Sequence, residues 1–63
     1  MIVVETYATF HYEVSGENEN VAAKELDDLI EREARSLYPM WPEEIAEAIG
    51  EIARKFNVKI RSV

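Results

Sequence analysis

A two-residue alternation running from Ile2 to Val14 limits what this chain can become more than any other feature. Ile2, Val4, Ala8, Phe10, Tyr12 and Val14 occupy even positions, and Glu5, Thr9, His11 and Glu13 occupy odd ones. Successive side chains of a strand point to opposite faces, so the pattern describes an extended segment with one buried and one wet face. It reads as a single long strand, with the rest of the chain as cover for its even face.

Two helices and a second strand are expected to follow. Ser15-Gly16 and the run SGENEN carry turn chemistry, because short polar side chains bond local backbone. Asn18 or Asn20 can then serve as N-cap, and Ala22, Leu26, Leu29, Ile30, Ala34 and Leu37 recur at helical steps as one apolar stripe. Asp28 with Arg32 and Glu31 with Arg35 are acid-first i,i+4 pairs suited to a solvated face. Pro39 pushes the preceding residue out of the α region, so this helix is expected to end at Tyr38. Pro42 then opens a second helix, with Glu43 and Glu44 against its positive end. Ile45, Ala48, Ile49, Ile52, Ala53 and Phe56 form its stripe. Arg54 and Lys55 suit its negative end, and Asn57 can close it in left-handed geometry. Val58, Ile60 and Ser62 alternate with Lys59, Arg61 and Val63 as a short second strand.

The expected fold is one α+β domain over residues 1–63, in the order β-α-α-β. It is a two-layer sandwich: an antiparallel sheet with a helix hairpin packed on one face. A chain of 63 residues has a core near the lower limit of independent stability, because ordering costs about 1.5 kcal/mol per residue and nearly cancels burial. With no Cys present, neither a disulfide nor a thiolate zinc site can supplement that core. Oligomerisation can. A first strand of 13 positions against a second of at most seven also leaves a long unpaired edge. The sheet is therefore expected to be completed across a homodimer.

Charge narrows the partners. Thirteen acids against seven bases give a net charge of −6, which opposes binding to phosphate backbones and anionic lipid. The bases gather only weakly, at Arg54, Lys55, Lys59 and Arg61. No apolar run approaches the roughly 18 residues of a membrane span, and Met1 leads into a strand rather than a basic and apolar leader. Neither nucleic acid nor membrane is expected as a partner, and the expected location is the cytoplasm.

Little chemistry can be built from the remaining residues. His11 is the only histidine; a neighbouring Glu13 could orient it as a general base, but no Ser, Cys or second His accompanies it at useful spacing. Glu17 and Glu19 lack the alternation and the closing bidentate Glu of a calcium loop. Two glycines in the whole chain cannot form a phosphate-cradling loop, and Gly50, set inside a helix, is expected to mark close approach of another element. No catalytic residue, metal, cofactor or small-molecule substrate is expected, and the chain reads as a non-enzyme.

What remains is surface for association. Val3 and Tyr7 place apolar surface on the wet face of the first strand, beside His11, and Thr9 lies where that strand's edge would pair with a copy. Met40 and Trp41 sit between two prolines, where they can anchor a partner or close the end of the core. The expected function is a small structural or protein-interaction module that self-associates. The absence of Cys and Gln and the agreement of caps, charges and periodicity are also what de novo design produces, so a designed origin is open. The alternative is an acidic inhibitor or antitoxin-like protein whose Glu43, Glu44, Glu47 and Glu51 imitate a phosphate backbone and capture a basic, nucleic-acid-binding protein.

Overall fold

The structure, a computed structural model, describes the backbone of residues 1–6 and 10–62 and the side chains of residues 1–5 and 11–62. Its elements are β1 (Ile2–Thr6), β2 (Phe10–Ser15), α1 (Glu19–Arg35), α2 (Pro42–Phe56) and β3 (Lys59–Ser62). The three strands form one antiparallel sheet in the order β1-β2-β3, and the helices pack on it. The α+β class and the helix hairpin over one face of an antiparallel sheet are as expected. The order β-α-α-β is not: the chain runs β-β-α-α-β.

The segment read as one strand is a hairpin. Ile2 pairs with Val14, Val3 with Glu13, Val4 with Tyr12 and Glu5 with His11, while Tyr12 to Ser15 pair on their other side with β3. Every pair joins positions of equal parity, so Ile2, Val4, Tyr12 and Val14 share a face. A continuous strand and a hairpin of this register give the same alternation. The intervening residues Tyr7, Ala8 and Thr9 contain none of the Gly, Pro, Asn or Asp that announces a tight turn. These three lie outside the described residues, as does Val63.

The hairpin removes the mismatch that called for a second chain, because the unpaired half of the presumed long strand finds its partner in β1 of the same molecule. Val4, Val14, Ala22, Ala23, Leu26, Leu29, Ile30, Ile52 and Val58 form the core. The first helix supplies most of it. The second contributes only Ile52 as a buried residue, although its sequence has the more regular stripe.

Local details explain the joints. Gly16 has φ +142, and a Cβ there would meet Val58 Cγ1 at 3.0 Å and the Asn57 carbonyl oxygen at 3.2 Å. The turn before α1 therefore packs directly on the turn after α2. Asn18 is the N-cap of α1 by position but makes no side-chain cap bond; its amide donates to the Phe56 carbonyl oxygen at 3.1 Å. An orphan acceptor at the end of α2 is satisfied in this way. Asn57 closes α2 at φ 52, ψ 50. The Val58 N–H reaches the Ala53 oxygen at 3.0 Å and the Asn57 N–H reaches the Arg54 oxygen at 3.3 Å, the paired bonds of a Schellman ending.

The first helix stops earlier than its stripe implies. Ser36 has ψ 140, and its backbone N–H donates to the Glu33 oxygen. The Ser36 hydroxyl accepts the Tyr38 N–H at 3.2 Å, a local alternative to helix that short hydroxyl side chains offer the backbone. With Pro39 already excluding Tyr38 from the α region, the helix unwinds from Ser36 onward. Leu37 thus leaves the stripe and is 90% exposed. The expectation for Gly50 also fails, since the nearest atom to a Cβ there is Arg54 Nη1 at 3.5 Å and, among the described residues, no other element comes within 4 Å.

Candidate functional site

The outer face of the sheet carries a ladder of charges. Glu13 accepts from Arg61 Nε at 2.8 Å across β2 and β3. His11 Nδ1 lies 3.6 Å from Glu5 Oε1, a pair that is ionic only when the imidazole is protonated. The carboxylate facing His11 is therefore Glu5 and not Glu13, which Arg61 engages. Val3 is half-exposed among these groups. Its proposed companions Tyr7 and Thr9 lie outside the described residues.

Three cations on the helices are also engaged. Lys55 Nζ bonds Glu25 at 3.2 Å between the helices, and Arg35 bonds Glu31 at 2.8 Å within α1. Arg32 donates to the backbone oxygen of Asp28 instead of its carboxylate. Carboxylate oxygens of Asp27, Asp28 and Glu31 come within 4.8 Å of one another on an exposed turn of α1. Sequence spacing had not singled out this group; it is three acids on one solvated helical turn.

A different surface stands out at the corner between the helices. Leu37, Tyr38 and Trp41 are 90%, 91% and 73% exposed. The corner's backbone is nevertheless anchored: the Met40 N–H donates to Glu33 Oε2 at 2.8 Å, and the Trp41 N–H points to Glu44 Oε1 at 3.4 Å. Met40 is partly buried and packs against the core. Trp41 does not close the end of the core, as one reading of the sequence held; the fixed backbone presents its ring to solvent.

Next to the corner, a groove of about 470 Å³ between α2 and the sheet is lined by Tyr12, Pro42, Ile45, Ala46, Ile49, Ile60 and Ser62. A smaller cleft of about 150 Å³ continues under the corner, where Leu29, Ile30, Ala34 and Pro39 join Tyr12 and Ile45. Tyr12, Ile45, Ile49 and Ile60 are each only partly buried. The regular stripe of α2 is therefore half covered within the monomer. No known protein family, curated protein or solved structure matches this chain. The corner adjoins the groove at Pro42, which lines it.

Two other features bear on function. Glu43, Glu47 and Glu51 are exposed along the outer side of α2, without an ion pair among the described residues. No helix among the described residues is long and apolar enough to cross a membrane.

Proposed function

We propose that this chain is a non-enzymatic structural or protein-interaction module whose molecular event is self-association into a homodimer. The observation that carries the reading is the exposed corner of Leu37, Tyr38 and Trp41 lying beside the half-covered stripe of α2. Contiguous apolar surface of this kind, on a domain whose own core is small, marks an interaction site. Among the interface candidates, Trp41 and Met40 belong to this surface by position, whereas Val3 and His11 stand on the charged outer face. Light scattering on a gel-filtration column at increasing load tests the reading, with a shift from monomer to dimer mass as the expected result.

A second reading is favoured by the exposed row Glu43, Glu47 and Glu51 on a chain of net charge −6. Under it, α2 presents acids to a basic, nucleic-acid-binding protein. Recovery of such a protein from a nucleic-acid-rich lysate by the immobilised chain, lost when Glu43 and Glu47 become Gln, would favour capture over self-association.

A further inference from the structure

We infer that the groove between α2 and the sheet is the docking site for a second copy of this chain, whose helix–helix corner enters it around a two-fold axis. This rests on the self-association reading and specifies its geometry. The groove is open on an apolar floor of Tyr12, Ile45, Ile49 and Ile60 and holds about 470 Å³, which accommodates an aromatic side chain. The corner supplies such side chains on a backbone held by Glu33 and Glu44, so seating them costs little backbone ordering.

Area and symmetry favour a copy as the occupant. Large aromatics offer about 150–250 Å² each. Tyr38 and Trp41, 91% and 73% exposed, thus bring about 300–500 Å² of the roughly 800 Å² per partner of a stable interface, and the exposed Leu37 adds to it. Groove and corner adjoin through Pro42, so a single two-fold axis can seat each corner in the other molecule's groove and close the assembly. Among the described residues of β1, β2 and β3, the sheet's outer face offers Val3 beside the Glu13–Arg61 and Glu5–His11 pairs, and exposed pairs of that kind give little to a two-fold contact.

Trp41 is the only tryptophan, which makes its fluorescence a direct report on the corner. Emission is recorded from below one micromolar to several hundred micromolar, beside sedimentation measurements on the same samples. The expected result is a blue shift whose midpoint coincides with dimer formation. Ala46→Lys, at an exposed position that lines the groove, and Trp41→Ser should each raise the dimer Kd by about tenfold or more. Trp41→Ser also places a favoured residue at the α2 N-cap, so monomer melting should hold or rise. Val3→Lys, on the outer face, should leave Kd within about twofold. A dimer whose tryptophan emission stays fixed, or one broken by Val3→Lys and untouched by Ala46→Lys, overturns the docking site while leaving self-association standing. A chain that stays monomeric throughout overturns both.

Discussion

The two glycines should respond to the same substitution in opposite ways. Gly16 combines φ +142 with a packed neighbour, Val58, where a new Cβ would sit. Gly16→Ala should therefore destabilise by about 1–3 kcal/mol, from backbone strain and overpacking together. Gly50 lies in regular helix, where a Cβ would make an ordinary van der Waals contact with the flexible end of Arg54, Nη1 at 3.5 Å, and Gly50→Ala should stabilise by up to about 1 kcal/mol. Urea titration of both variants checks the pair of signs. Asn18 is a third residue whose role depends on its three-dimensional neighbour. Its identity suggested a cap, and it is one, but for the carbonyl end of α2 and not the amide end of α1. Asn18→Ala should cost about 0.5–1.5 kcal/mol through that exposed bond, again read from urea midpoints.

At the scale of elements, what could be read from the sequence was whatever periodicity and terminal chemistry specify locally. Pro42 opens α2 and Asn57 closes it as expected, because a missing donor and a left-handed residue act without reference to the rest of the fold. The break between β1 and β2 was invisible, because equal-parity pairing preserves alternation and Tyr7-Ala8-Thr9 lacks turn residues. The early end of α1 depends on the Ser36 hydroxyl capturing the Tyr38 amide, a competition that an apolar Leu37 at the right spacing conceals. The stripe of α2 likewise gave the inward face but not its degree of cover. Ile49 reads as central, yet the buried residue is Ile52. Ile52→Asp should unfold the monomer, since it leaves an unpaired carboxylate in the core at a cost of several kcal/mol. Ile49→Asp should cost the monomer less, because the groove gives its carboxylate access to water. Thermal melts of the two variants at low concentration check the order.

For the whole molecule, the case for a dimer rests on the corner and the groove rather than on a 13-residue strand. The extended segment is a hairpin whose halves pair with each other, so the edges left open among the described residues are the shorter ones of β1 and β3. What remains is a second helix with one buried side chain, beside a corner whose Leu37, Tyr38 and Trp41 stand in solvent. Two molecules of charge −6 repel one another, and the exposed acids Glu43, Glu44 and Glu47 flank the proposed contact. Association should therefore tighten as salt is added, the reverse of a contact held by opposite charges. The same charge predicts that DNA columns will not retain the chain at moderate ionic strength. The central claim, self-association, is tested most directly by sedimentation equilibrium of the unmodified chain from micromolar to several hundred micromolar. A single monomer–dimer equilibrium fitting all loadings is the predicted result. A folded monomer that persists at the highest loading would contradict it.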